Sequence, residues 1–304
     1  MKIAMSLSAL LWASSALAAE APEPKAGVNK AGEDKVGEDK AEKSGGRFTL
    51  LGTECKAEED ALETTPGSPP LDVDDTGTPG CNGWEINVVT SGELGKATSL
   101  ETPLLDLNYG IGDNIQLKAE IPYLVNRVDG TSTGGMGSGE LGIKHRFFED
   151  ESRDLSIAVY PQLEFAVPGT AAEYDEGTVF KLPVLMSTKV GETSKGDVMI
   201  TANLGYNVSS NADTGHYLSA AFGVGFPLSS RIAMMMEAST EQALGDNMDG
   251  VRDSVFKANA ALVGRINPHF MVFGSVGESY ASSEEDDAAH TCLLLGIRVL
   301  AGGP

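Results

Sequence analysis

Four histidines, three cysteines and one glycine-rich run are the residues whose types could support catalysis, metal binding or phosphate binding. Their spacing supports none of these. His145, His216, His269 and His290 are scattered, and none is spaced to act with a Ser or Asp as a base–nucleophile pair. Each is expected to be a surface or interface residue. Cys55, Cys81 and Cys292 lie too far apart, from one another and from the histidines, to bracket a metal. No metal and no cofactor is expected. Gly134-Gly135-Met136-Gly137-Ser138-Gly139 joins no strand to a helix, so it lacks the context of a phosphate-binding loop and reads as a flexible outer loop. No catalytic residue is assigned, and the chain is not expected to be an enzyme.

What remains is charge held in a pattern. Glu85, Asp106, Lys118, Glu120, Glu140, Lys144, Arg146, Glu164, Lys181, Glu237, Lys257, Arg265 and Arg298 all fall opposite apolar residues in alternating stretches. The signs are mixed. Facing one another in an enclosed space, such groups would pair and brace the wall. Left partly unpaired, they would line a path and set its selectivity for ions or solutes. Lys118 and Lys144, close to Glu120 and Glu140, are the first candidates for that role. Met199, Leu185, Leu294 and Met235 share the same face, so part of the space would be apolar or packed shut.

The element that positions these groups is clearest at 103–123. Leu105, Leu107 and Tyr109 oppose Asp106 and Asn108, the chain turns at 110–113, and Ile115, Leu117, Ala119, Ile121 and Tyr123 oppose Gln116, Lys118, Glu120 and Pro122. A period of two on both sides of a Gly/Asp turn predicts a β-hairpin. One face is apolar and the other charged. The pattern begins at Trp84 and recurs along the chain, blurring only at 269–279, where Phe270, Val272 and Val276 compete with Met271 and Phe273. It yields twelve strand candidates of roughly 9–12 residues, the length a tilted strand needs to cross a bilayer.

The connections carry a second signal. Short turns at 110–113, 149–154, 191–196, 228–231 and 266–269 alternate with longer polar loops near 90–101, 125–138, 168–178, 209–215, 241–252 and 281–290. Short periplasmic turns and long outer loops are the outer-membrane arrangement. The expected fold is therefore an all-β, transmembrane, antiparallel up-and-down barrel of about 12 strands over 83–304, with both termini periplasmic. A soluble exported β-sandwich has no reason to sort its loops this way.

The residues before the barrel read differently. Lys2, an apolar core over 7–12 and Ala16-Leu17-Ala18 predict a signal peptide over 1–18. Residues 19–46, with the near-repeat Ala-Gly-Glu-Asp-Lys and Val-Gly-Glu-Asp-Lys, have almost nothing to bury and predict a disordered periplasmic spacer. Residues 47–82 are expected to be irregular, forming a plug or a cap. Cys55 and Cys81 flank a Pro/Gly-rich stretch of an exported chain and are the candidate disulfide; two free thiols is the alternative. The formal charge of −22 excludes the basic footprint that nucleic-acid binding requires. The expected partners are outer-membrane lipid and a small solute.

One further feature is a resemblance. The segment from Pro69-Pro70-Leu71-Asp72-Val73 through Gly80 into Trp84-Glu85-Ile86-Asn87 resembles the opening of the MetA-pathway of phenol degradation family. So do Glu101-Thr102-Pro103-Leu104-Leu105-Asp106, Leu117-Lys118-Ala119-Glu120-Ile121-Pro122-Tyr123 and Gly139-Glu140-Leu141-Gly142-Ile143-Lys144. Cys81-Asn82-Gly83 departs from the family's usual approach to its first strand. The resemblance covers about 69–168 and implies an outer-membrane transporter for small, apolar or aromatic molecules. It carries over no binding residues. A passive channel and a non-conducting surface barrel are the two functional readings that follow.

Overall fold

The computed structural model describes residues 47–48, 55, 64–65, 71–95, 98–175, 177–210, 215–244, 254–282 and 288–303. The expected signal peptide and spacer lie outside the described residues.

Twelve long strands follow one another around a closed antiparallel barrel. They are β1 Gly83–Leu94, β2 Thr98–Ile111, β3 Ile115–Val128 and β4 Gly139–Asp150, then β5 in two pieces, Leu155–Val159 and Gln162–Phe165. Next come β6 Val179–Thr193, β7 Gly196–Ser209, β8 His216–Pro227 and β9 Ile232–Leu244. The last three are β10 Ser254–Asn267, β11 Phe270–Ser282 and β12 Ala288–Gly302. Each strand pairs with its neighbour in sequence, and β12 pairs with β1 from Thr291↔Leu94 to Gly302↔Gly83. Closure leaves no bare sheet edge, which a strand surrounded by lipid could not tolerate.

The alternation is inverted relative to a water-soluble core. Leu204, Leu262, Leu295, Ile143, Phe222 and Phe256 are among the exposed large apolar side chains, Leu295 at 70%. Asp106, Asn87, Thr201, Lys144 and Arg298, on the opposite face of their strands, are buried inside. On β11, Met271 and Phe273 are buried inward while Val272 and Val276 are exposed, which resolves the blurred stretch. Inside, Val89, Leu104, Met235, Ala261, Val263, Met271 and Phe273 form an apolar cluster with Leu71, Leu294 and Leu300 packed on it. The lumen is thus partly filled on the β9–β12 side.

Two expectations need correction. The strands run to 15 residues rather than 9–12, and residues 91–94 and 98–101, expected to lie in a loop near 90–101, are strand. Apolar alternation marks only the part of a strand that an apolar surround selects. The backbone ladder continues past it, with Ser91 to Leu94 pairing Glu101 to Thr98. The glycine-rich run is not a free loop either. Gly134 and Gly135 lie in a short strand, Thr131–Met136, that pairs with the end of β3. Missing side chains let this ribbon lie against its neighbour: a Cβ on Gly135 would sit 2.7 Å from that of Ala171.

The tight turns, at 112–114, 151–154, 194–195, 228–231 and 268–269, share one end of the barrel with Gly83 and Gly302. Gly112 and Asp154 hold left-handed backbone there, a conformation open to Gly and tolerated by Asp. This is called the turn end below, and the opposite rim the loop end.

Candidate functional site

Residues 71–82 precede β1 and make their contacts with inward-facing side chains. The Val73 N–H faces Glu237 of β9 at 3.4 Å, and the Asp74 N–H donates to Asn203 of β7 at 2.9 Å. Asn203 returns a bond to the Asp74 carbonyl at 2.6 Å. Thr76 meets Ser156 of β5 at 2.6 Å, and the Thr78 hydroxyl donates to the Asp113 carbonyl at 2.8 Å. Two cations grip the segment from the wall. Lys144 lies 3.4 Å from Asp75 and donates to the Gly77 carbonyl at 3.1 Å, while Lys257 lies 3.8 Å from Asp72. Asn259 donates to Asp72 at 2.8 Å. The segment's exit is fixed at Gly110 of β2, whose carbonyl accepts from the Asn82 N–H at 3.1 Å. Cys81 is joined to Cys55 by a disulfide, and Cys292 is a free thiol.

Between the segment and the wall lies a cavity of about 550 Å³. Its charges are organised in two networks. One is a ladder of alternating sign across β3, β4, β5 and β6. Lys118 bridges Glu120 at 2.8 Å and Glu140 at 2.7 Å, and Lys181 bridges Glu140 and Glu164, each at 2.8 Å. The register makes this possible, because Glu120, Glu140 and Glu164 stand opposite one another on successive strands. Like charges in a row require cations between them, and the two lysines supply them.

The second network runs through uncharged groups. Arg298 pairs with Glu85 at 2.9 Å and donates to Asn87 at 2.9 Å; Asn87 donates to Asp106 at 2.8 Å. Asn108 donates to Asp106, and Gln116 donates to Asn108 at 2.6 Å and to the Tyr160 hydroxyl at 3.2 Å. The Lys144 ammonium sits 4.9 Å above the Tyr160 ring, which carries the chain back to Asp75. Such a network holds shape because every buried polar atom in it has a partner. In the segment, enclosure raises the Asp74 carboxyl above the usual carboxylate range, with Lys144 and Lys118 opposing.

The cavity brings together nine of the thirteen charged residues read from the sequence: Glu85, Asp106, Lys118, Glu120, Glu140, Lys144, Lys181, Lys257 and Arg298. The other four sit elsewhere. Arg146 braces the β2–β3 turn, donating to Asn114 at 3.2 Å and to the Asp113 carbonyl at 2.8 Å. Glu164 stands behind Lys181, Glu237 meets Val73, and Arg265 lies near the turn end, its N–H bonded to the Arg231 carbonyl. Pattern reading missed Glu93 and Glu101, which lie where alternation fades, and Asp72, Asp74 and Asp75, which lie in a segment with no period. The acidic run at 72–75 was the available signal, since unpaired lumen lysines need counter-charges. The histidines stay apart. His145 is half-buried on the outward face, His216 stacks near Tyr206, His269 is exposed at a turn and His290 is near the loop end. Among the described residues no group of His, Cys, Asp and Glu could hold a metal ion.

Comparison with solved structures finds outer-membrane barrels. The chain is similar to the COG4313 outer membrane channel from Pseudomonas putida F1, with a TM-score of 0.56 and 14% identity over 76% of this chain and 100% of that one. It is similar to the NanC porin, with a TM-score of 0.52 and 10% identity over 70% of this chain and 98% of that one. No family model matches the chain, and no curated protein matches its sequence. At these identities the likeness is one of fold: a closed twelve-stranded antiparallel barrel of the kind that outer-membrane channels and porins adopt.

Proposed function

We propose that this protein is an outer-membrane channel passing small solutes, with its short turns and both termini in the periplasm and residues 71–82 acting as a plug that narrows the lumen. The observation that carries this reading is the pairing of an apolar outer surface with a charged inner cavity of about 550 Å³. A barrel in water would bury the first and expose the second. The Lys144 and Lys257 contacts hold the plug to the wall, and the disulfide closes the loop that contains it. Outer-membrane lipid is the partner of the outer face.

The MetA-pathway resemblance supports a route for small apolar or aromatic molecules. The cavity has a wall for them: Val89, Leu104, Leu124 and Leu294 line it beside the charged groups. The apolar cluster and the plug also favour a second reading, a barrel that stays shut and serves as a surface protein. Planar-bilayer conductance separates the two. The channel reading expects current from the refolded chain, and larger or longer openings once residues 19–82 are removed. Silence in both forms, with the barrel inserted, would leave the non-conducting surface barrel.

A further inference from the structure

We infer that the lumen selects for cations, so that cationic and neutral small molecules pass and anions are held back. The inference rests on the channel reading and deepens it. Nine carboxylate side chains and five cationic ones line the cavity. Numbers alone decide little, because an ion-paired wall can carry no field. The pairing decides it. All five cations are engaged: Lys118 and Lys181 in the ladder, Lys144 on Asp75, Lys257 between Asp72 and Glu93, and Arg298 on Glu85. None is left to receive an entering anion.

The carboxylates are in a different position. Glu101 forms no ion pair among the described residues and accepts only from the Ser91 hydroxyl, at 3.1 Å. Asp106 is held by the amides of Asn87 and Asn108, donors that fix its orientation without cancelling its charge. Both lie on β2 and face the cavity, Glu101 nearer the loop end and Asp106 five positions deeper. A register shift between Glu101 and Leu104 leaves them four ladder positions apart, which keeps both on the inward face and spaces the two charges roughly 14 Å along the strand at about 3.4 Å per position. Glu93, sharing Lys257 with Asp72, adds a partly compensated charge opposite Ser99. The excess survives protonation of Asp74. A low-dielectric wall around a narrow path focuses this field, which raises the local concentration of cations and lowers that of anions. For organic solutes the same field predicts that an aromatic carboxylate passes more slowly than a neutral aromatic of equal size.

The test is the reversal potential of the full-length chain in a planar bilayer at pH 8 under a KCl gradient. The lumen charge predicts a potential on the potassium side, with potassium favoured over chloride by about fivefold or more, weakening as salt rises from 0.1 M to 1 M. Glu101→Gln should at least halve that ratio, and Glu101→Lys should move it further toward chloride. Glu101 is near the loop end, and a gel shift on heating checks that each variant is folded. A potential at zero or on the chloride side would overturn the selectivity and leave the channel standing. A cation preference unmoved by both substitutions would overturn the assignment to Glu101. No current from inserted protein, either intact or as Asp75→Asn, would overturn the channel reading and the selectivity with it.

Discussion

Lys144 of β4 meets Asp75 of the segment before β1 at 3.4 Å, inside the barrel and across 69 positions of sequence. The contact fixes where the chain goes before its first strand. Without it the segment would lose its ion pair with the β4 wall. Lys144 also donates to the Gly77 carbonyl, so one ammonium holds both a side chain and the backbone beyond it.

The segment depends equally on what is missing at Gly110. A Cβ there would come within 1.7 Å of the Gly80 carbonyl oxygen. Gly110→Val should therefore displace 79–82 from β2 while leaving the β2–β3 pairing intact. Protease cleavage within the segment should quicken several-fold, with the heat-induced gel shift unchanged. A cleavage rate equal to the wild type would mean the segment does not rest on Gly110.

Glu140 is the shared acceptor of Lys118 and Lys181. Glu140→Gln leaves two largely buried ammonium groups each short of a carboxylate. The cost expected for hydrogen bonds to charged groups is about 1.5–3 kcal/mol per lost partner. The barrel should unfold at lower denaturant concentration. Glu164→Gln, which leaves Lys181 paired with Glu140, should cost less. Equal midpoints for the two variants would contradict the ladder.

Leu204 faces outward on β7 and is 64% exposed. In a protein surrounded by water, Leu204→Arg would be nearly neutral. In lipid, an outward arginine costs about 2–4 kcal/mol near the bilayer midplane. The substitution should lower insertion yield and folding stability in lipid vesicles. Unchanged stability would contradict a lipid-facing surface.

The Cys55–Cys81 disulfide closes a loop that contains the whole acidic run at 72–75. Constraining a loop of sequence separation 26 is worth about 3.5 kcal/mol in the chain-entropy account. Reduction, or Cys81→Ser, should loosen the segment and speed its proteolysis without unfolding the barrel. Resistance unchanged by reduction would show that the lumen contacts alone hold it.

How much of this was legible in the sequence follows from where an alternating pattern is enforced. Leu105, Asp106, Leu107 and Asn108 could be assigned to faces because an apolar surround on one side and a wet lumen on the other select opposite chemistries at successive positions. The same logic found Lys118, Glu120, Glu140 and Lys181. It failed at Glu93 and Glu101, where the strands pass beyond the apolar belt and neither face is selected. It was silent on Asp75, because an unpaired segment has no period. Tyr160 and Gln116 carry the second network toward Lys144 through neutral groups, and an inward polar residue reads the same whether it bonds a neighbour or only water. Arg146 shows the converse: a residue can lie on the inward face and still serve a turn.

If the barrel conducts and the segment held by Lys144 narrows its lumen, breaking that contact must change the current. The most direct test is single-channel current from the intact protein beside Asp75→Asn and Lys144→Met. Loss of the pair should weaken docking by about 1.5–3 kcal/mol, a tenfold or greater shift toward the open state. Brief, small openings in the wild type and longer or larger ones in both variants are the predicted result. Identical traces from all three proteins, whether silent or fully open, would contradict it.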